Sequence, residues 1–345
     1  MKKEEKNGTK IPAYLPFVDI DRPNELVSEN AEASPSGVSA QGKIILDYVN
    51  SQPTIIGVLP ERVRELRRAK ENSFDHTPQP TVKREDIEVS GAAGNLLARV
   101  YRPANGKNHD SPAIMYFHGG GFVLGDIESY DNFIANLAHE SNLTTISVSY
   151  RLAPETPFPG AVDDACSAFL WLVKNAENLG INPSKIALGG DSAGGNLAAS
   201  VCILHRDQKK PLPAFQLLIY PTTIANDTSE SRVQFAQDLL LTKDSIEWFH
   251  DHYIPRSKAK DTRFHILSVE NHENLPPAFV LTGGFDPLRD EGKAYAEKLR
   301  CSGVPVRHSC YTDMFHAFIN FGFLTQSQEA IGECAAVLKS ALYAD

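Results

Sequence analysis

Ile186-Ala187-Leu188-Gly189-Gly190-Asp191-Ser192-Ala193-Gly194 is the stretch on which the reading of this chain turns. A short aliphatic run, Ile186–Leu188, leads into Gly190-x-Ser192-x-Gly194, and a small-residue stretch with helical character, Gly194–His205, follows. A strand that turns this abruptly into a helix needs Gly, or nearly so, on either side of the apex, and the serine is then forced outward with its hydroxyl clear of the sheet end. A Gly-rich strand-to-helix turn can instead bind phosphate through its N–H groups. That reading wants a Lys or further glycines at fixed offsets, and no G-x-x-x-x-G-K-[S/T] occurs in the chain.

Outward from the serine, short apolar and β-branched runs alternate with helical stretches. The expected strands are Ile87–Val89, Leu97–Tyr101, Ala113–Phe117, Thr145–Ser149, Ile186–Leu188, Phe215–Ile219, Ala278–Leu281 and Val306–Tyr311. The expected helices are Asp131–Glu140, Val162–Ala176, Gly194–His205, Glu291–Ser302 and Gln328–Leu342. The first two strands have no helix between them and should pair as an antiparallel hairpin. The rest alternates strand and helix, which calls for an α/β architecture: a mostly parallel, eight-stranded sheet flanked by helices on both faces.

Residues 222–275 interrupt the alternation without a convincing strand. They hold one expected helix, Lys243–Tyr253, capped by Thr242, with Ile246, Phe249 and Tyr253 on one stripe. An insertion of this length is usually functional, typically a lid or cap. Two N-terminal helices are its natural partners. One is expected near Ser39–Asn50 with Ile45, Leu46 and Val49 on one side, the other near Pro60–Glu71 with Val63 and Leu66 at helical spacing. The expected division is therefore an N-terminal cap segment at 1–75, a catalytic domain at 76–221 and 276–345, and a cap insertion at 222–275. Residues 1–35 are polar, with a few apolar anchors at Tyr14, Leu15, Phe17 and Val18, and carry no motif.

A second glycine cluster, His118-Gly119-Gly120-Gly121-Phe122, follows the strand Ala113–Phe117. Its backbone can approach a ligand closely and aim successive N–H groups at a developing alkoxide. A serine nucleophile also needs a base, and the base an orienting carboxylate; in this fold order both come later, acid first. Two places fit. Asp286 stands beyond the strand Ala278–Leu281 in Gly283-Gly284-Phe285-Asp286-Pro287, and His316 beyond Val306–Tyr311 in Asp313-Met314-Phe315-His316-Ala317. Nearby rivals for the acid are Asp290 and Glu291, which suit a helix N-terminus, and Asp313, which suits a loop acceptor.

Composition narrows the remaining classes. With Lys plus Arg at 34 against Asp plus Glu at 43, the net charge of −9 argues against a dedicated nucleic-acid binder. The densest basic run, Arg62, Arg64, Arg67, Arg68 and Lys70, is interleaved with Glu61, Glu65 and Glu71 and reads as a solvated helix face. The five cysteines, Cys166, Cys202, Cys301, Cys310 and Cys334, show no metal-type or redox spacing and suit free thiols in a reducing compartment. His250 and His252 with His265 and His272 raise a metal site, but residues two apart on a helix face different ways, so solvated cap histidines are expected. No apolar signal core and no stretch of membrane-spanning length is visible, and cytoplasm is the default.

Four blocks together resemble the bacterial hormone-sensitive-lipase-like esterases of the α/β-hydrolase superfamily, in the subgroup with Asp before the nucleophile. They are His118–Phe122; Tyr150-Arg151-Leu152-Ala153-Pro154-Glu155 continuing to Phe158-Pro159 and Asp163-Asp164; Gly189–Asn196; and Asp286-Pro287-Leu288-Arg289-Asp290-Glu291-Gly292 with His316. The resemblance implies an α/β-hydrolase fold with a helical cap. It implies Ser192, Asp286 and His316 as catalytic triad, and Gly120, Gly121 and Ala193 as oxyanion donors, with Gly119 a further candidate. The family often has Gly after its histidine, where this chain has Ala317.

The expected activity is hydrolysis of short- to medium-chain carboxylic esters through an acyl-serine, with neither cofactor nor metal. The expected partner is a small-molecule ester, with no nucleic acid and no stable membrane insertion, and the protein should act as a monomer or homodimer. An amidase, lactonase or deacetylase would use the same residues. Related non-catalytic hormone receptors lack the histidine that is present here as His316.

Overall fold

Eight strands make one sheet: β1 (Lys83–Ser90), β2 (Asn95–Arg102), β3 (Ser111–Phe117), β4 (Thr144–Val148), β5 (Ile181–Asp191), β6 (Phe215–Ile219), β7 (Ala278–Phe285) and β8 (Val306–Phe315). Their order is β1-β2-β4-β3-β5-β6-β7-β8. β2 runs antiparallel to both β1 and β4, and the other neighbours are parallel. This is a computed structural model. It describes residues 33–343 except 35, 69–73, 107–108 and 226. The anchors Tyr14, Leu15, Phe17 and Val18, and the end of the second expected helix at Glu71, lie outside the described residues.

All eight expected strands are present, several with longer ends. β3, β4 and β6 are buried along their whole length, because helices cover both faces of a parallel sheet. The edge strand β1 shows mostly half-buried and exposed positions. Nine α-helices are described: α1 (Ala40–Asn50), α2 (Pro60–Arg68), α3 (Ile127–Ser141), α4 (Gly160–Asn175), α5 (Ala193–Asp207), α6 (Glu230–Gln234), α7 (Lys243–Tyr253), α8 (Arg289–Cys301) and α9 (Thr325–Tyr343). One core lies under α4, α5 and α8, with Phe169, Leu172, Leu197, Tyr295 and Leu299. The other lies under α3 and α9, with Ile134, Leu137, Ile331 and Leu338.

The N-terminal helices divide between these cores. α1, capped by the Ser39 side chain, buries Ile45 and Leu46 in the α3/α9 core, whereas α2 buries Val63 in the α4/α5 core. Leu66, expected beside Val63, is 50% exposed. The basic face of α2 is more than a solvated surface. Arg64 donates to Val123 O and to Glu155, each at 2.8 Å, and also to Ala153 O, and Arg68 meets Asp126 at 2.8 Å. These donors meet two loop carbonyl oxygens and two carboxylates, so the charge run fastens α2 to the segments after β3 and β4. α7 has the expected bounds and its Thr242–Ser245 capping box, but buries Trp248 along with Ile246 and Tyr253. No strand occurs among the described residues of 222–275. Asn196 on α5 donates to Thr222 O at 2.9 Å and Phe264 O at 2.8 Å, holding two parts of that insertion to the sheet's end.

β8 also carries a titratable group with a stability consequence. His308 is 2% exposed and its Nε2 lies 2.9 Å from Thr282 Oγ1. Burial, with Lys293 and Arg300 adding to it, lowers its pKa from 6.5 to about 4. The unfolded chain therefore binds this proton first. The stabilisation is fully present above pH ~6.5 and is lost as pH falls toward ~4, on the order of 2–3 kcal/mol for this group. Urea melts from pH 7.5 to 4.5 should show a shallower acid loss for His308→Gln than for the wild type, and equal slopes would refute this account.

Candidate active site

The chain leaves β3 through α3 to β4 on one side, then returns through α4 to β5 on β3's other side. The strand order therefore reverses between β3 and β5, and open α/β sheets form their ligand crevice outside the carboxyl ends at such a point. Phe117 pairs with Gly190 there, which sets the glycine loop after β3 beside the turn after β5.

That turn is as sharp as the sequence requires. Ser192 has φ 54 and ψ −114, a left-handed backbone uncommon for a side-chain-bearing residue. A Cβ at Gly194 would stand 1.8 Å from Phe117 O, and one at Gly190 would stand 2.3 Å from the Gly194 carbonyl carbon, so only glycine fits at either flank. The strained apex is held by Ser192 N–H donating to Ile219 O at 2.9 Å, and by the Ser192 carbonyl accepting from Asn196 N–H at 3.1 Å and Thr222 N–H at 3.2 Å. Strain of this kind persists only where the surroundings over-determine it.

At the other end of the sheet β7 pairs with β8 so that Phe285 lies opposite Phe315. The next residue on each strand is therefore Asp286 on one and His316 on the other. Asp286 is fully buried; Oδ1 accepts the Leu288 N–H at 2.7 Å and Oδ2 lies 2.7 Å from His316 Nδ1. His316 Nε2 lies 3.0 Å from Ser192 Oγ. The ring packs against Tyr220, centroids 4.8 Å apart. Ala317, where the resembled family often has Gly, takes φ 63. Glycine is free in that region, and alanine occupies it at a cost of about 1 kcal/mol.

The rival acids are engaged elsewhere. Asp290 accepts from Ser231 N–H and Arg289 Nε, both at 2.8 Å, and Glu291 accepts from Arg232 and from Thr223 N–H, both at 2.7 Å. Asp313 lies in β8, not in a loop, and accepts from Gln326 at 2.7 Å.

In the glycine loop Gly120 and Gly121 have φ 113 and φ 61, and the Gly120 carbonyl accepts from Val123 N–H and Leu124 N–H. Among the described residues no protein acceptor takes the N–H of Gly120, Gly121 or Ala193. Gly119 differs. Its N–H is taken by Asp191 Oδ1 at 2.8 Å and by the Tyr130 phenol at 3.1 Å, which removes it as a donor to substrate. Phe249 of α7 seats its ring against Gly121, where a Cβ would come within 2.3 Å of it. Asp191 and Tyr130 are among the polar residues of this site to which sequence reading assigned no role. Asp191 appeared there only as a motif letter, and nothing in sequence links Tyr130 to it.

None of the four cap histidines is fully exposed. His272 and His265 are buried, His252 Nδ1 bonds Trp248 O at 2.7 Å, and His250 is half-buried edge-on to Phe264. Burial, then the Arg232 charge, holds His250 down to a pKa of about 4. No group of three or more His, Cys, Asp or Glu able to hold a metal occurs among the described residues. No described helix is long and apolar enough to cross a membrane.

A buried carboxylate, an imidazole and an apical serine hydroxyl thus share two hydrogen bonds at the carboxyl edge of a doubly wound sheet, beside unengaged amides. The fold is that of the α/β hydrolases. A family profile for that fold matches residues 114–320. The chain is 40% identical to the carboxylic ester hydrolase LipN of Mycobacterium tuberculosis over 250 residues, 70% of this chain and 66% of that protein's length. It is 37% identical to the carboxylesterase NlhH of the same organism over 294 residues, 84% of this chain and 90% of that one. Its structure is similar to that of the ester hydrolase EH1AB1 from the Lake Arreo metagenome, with TM-score 0.86, 37% identity, and 89% and 100% of the two chains covered. The chain belongs to the α/β-hydrolase family, in its branch of bacterial hormone-sensitive-lipase-like carboxylic-ester hydrolases.

Proposed function

We propose that this carboxylic-ester hydrolase works through Ser192 as nucleophile, His316 as general base and Asp286 as its orienting acid. The observation that carries the reading is the continuous hydrogen-bonded path from Asp286 through His316 to Ser192 Oγ. Asp286 accepts from Nδ1, which leaves the Nε2 lone pair facing the hydroxyl. As Oγ attacks the ester carbonyl, Nε2 takes its proton, and Asp286 stabilises the resulting imidazolium. The carbonyl oxygen becomes an oxyanion beside the Gly120, Gly121 and Ala193 amides. The tetrahedral intermediate collapses, Nε2 returns the proton to the leaving alcohol, and an acyl-serine remains. Water repeats the sequence and releases the carboxylic acid. His316 separates this reading from a purely ligand-binding role, since a binder needs no base at hydrogen-bond distance from the serine.

The substrate is a small ester of short to medium acyl length. Residues 1–75 and 222–275 act as the cap over the site, with the rest of the chain as catalytic domain. The seating of Phe249 on Gly121 supports a cap wall close to the oxyanion amides. Each methylene that fits gains about 0.8 kcal/mol until the wall stops it. Across p-nitrophenyl esters from acetate to palmitate, kcat/KM should rise and then fall, peaking at roughly four to eight carbons. An anilide and a lactone belong in the same panel. Best turnover on palmitate would refute the limited pocket, and faster cleavage of the anilide or lactone would refute the ester assignment. The net charge of −9 supports a protein without a nucleic-acid partner. Five free thiols support the cytoplasm, and the acting unit is a monomer or homodimer.

A further inference from the structure

Asp191, the residue before Ser192, is 1% exposed, and its carboxylate forms no ion pair among the described residues. Four neutral donors surround it instead. Oδ1 accepts from Tyr116 Oη at 3.0 Å and Gly119 N–H at 2.8 Å, and Oδ2 from Tyr130 Oη at 2.8 Å and Asn320 Nδ2 at 3.5 Å. The Tyr130 phenol, while donating to Asp191, accepts from Gly119 N–H at 3.1 Å and Asn320 Nδ2 at 3.4 Å. A buried carboxylate is expensive, and burial does push the Asp191 carboxyl above its ordinary range against the pull of these donors.

The members of this network come from separate parts of the site. Asp191 adjoins the candidate nucleophile. Gly119 adjoins Gly120 and Gly121. Asn320 ends the short helical turn Phe318–Asn320 that follows His316. Gly119 is gripped from both sides: its N–H by Asp191 and Tyr130, and its carbonyl by His118 Nδ1 at 2.8 Å. Burial lowers the His118 pKa, which keeps that ring neutral, and Nδ1 carries the proton because a carbonyl can only accept. The His118 carbonyl is held in turn by Tyr150 Oη at 2.7 Å, whose ring stacks on the imidazole at 4.4 Å. A Cβ at Gly119 would stand 2.4 Å from Asp191 Oδ2, so the glycine there admits the carboxylate.

We propose that Asp191 is a positioning residue: through Gly119 N–H and Tyr130 it fixes the glycine loop so that Gly120 and Gly121 present their amides to the oxyanion formed at Ser192. The role rests on the reading of Ser192 and the glycine loop given above. Asp191 touches no reacting atom. Its effect should fall on the transition state, where aimed amides matter, and leave ground-state binding nearly unchanged.

The test compares Asp191→Ala, Asp191→Asn, Tyr130→Phe and Ser192→Ala by steady-state kinetics on p-nitrophenyl butyrate. Inhibition by a trifluoromethyl ketone, whose tetrahedral serine adduct carries the oxyanion, is measured alongside. Asp191→Ala should lower kcat by about 10- to 100-fold with KM within about threefold, and weaken the ketone by the same factor as kcat. Asn keeps an acceptor for Gly119 N–H, so Asp191→Asn should recover to within about fivefold of wild type. Tyr130→Phe buries no new polar group and folds if Asp191→Ala does not. It should lower kcat by roughly three- to tenfold, and less than multiplicatively on top of Asp191→Asn.

Changes in KM alone, or a kcat loss with ketone affinity intact, would overturn the positioning role. So would full activity of Asp191→Ala and Tyr130→Phe alongside an inactive Ser192→Ala. An active Ser192→Ala would instead overturn the catalytic reading, and the positioning role with it.

Discussion

Replacing Ser192 with alanine should reduce ester turnover by on the order of 10⁴–10⁶ while the melting temperature stays within a few degrees of wild type. The backbone reason is local. Residue 192 sits at φ 54 whichever side chain it carries, and the elbow is held by main-chain bonds to Ile219, Asn196 and Thr222 that alanine leaves in place. What disappears is the one hydroxyl 3.0 Å from His316 Nε2. Residual rate should come from the amides of Gly120, Gly121 and Ala193 acting on water attack. A fluorophosphonate probe followed by peptide mapping gives an independent readout: it should modify Ser192 in the wild type and nothing at that peptide in the variant. Turnover within tenfold of wild type, in protein freed of contaminating esterase, would remove Ser192 from the mechanism.

The second large effect belongs to Asp286→Asn, with an expected loss of about 10³–10⁴ in kcat. An amide at this position can present its own N–H to His316 Nδ1 and hold the imidazole in the tautomer with its proton on Nε2, which cannot accept from serine. It also withdraws the negative charge that stabilises the imidazolium. Volume hardly changes, so circular dichroism should match wild type. The comparison that gives this variant its meaning is Asp313→Asn, whose carboxylate meets Gln326 rather than the histidine and which should retain activity within about threefold. If Asp313→Asn proves the crippled variant and Asp286→Asn the active one, the acid has been misassigned.

The two variants probe parts of the site that were legible to different degrees. Gly190-x-Ser192-x-Gly194 carries its own geometry, because a turn that leaves 1.8 Å for a Cβ at Gly194 can be made only by glycine. The eight strands were readable from their apolar runs, and the hairpin β1–β2 from the lack of a helix between them. Boundaries shifted outward, as at β5, which runs from Ile181 rather than Ile186. Ladder pairing extends a strand into residues such as Asn182 and Ser184 whose side chains carry no strand signal.

Residues that act through distant partners were not legible. Arg64 read as one charge of a solvated run, yet its guanidinium is turned inward onto Val123 O, because helix α2 lies against the loop that follows Phe117. His265 and His272 read as solvated, yet the insertion folds back on α5 and α8 and buries them. Gly119 stood behind Gly120 and Gly121 as a further oxyanion candidate. Only the approach of Asp191 and Tyr130, from a strand end and from α3, assigns its N–H to the protein rather than to a substrate.

By itself the sequence determined the alternation of strands and helices, the sharp turn at Ser192, and which residue types stand at the ends of β3, β7 and β8. These follow from side-chain volume, periodicity and the steric freedom of glycine, all of which act within a few residues. The sequence favoured Asp286 over Asp290, Glu291 and Asp313; what the tertiary structure supplies is its contact with His316, which depends on the one-residue register pairing Phe285 with Phe315. The tertiary structure also decided that a carboxylate could be buried at Asp191, because four donors from three segments converge there. Register and convergence depend on how the whole sheet packs, and no local stretch of chain encodes either.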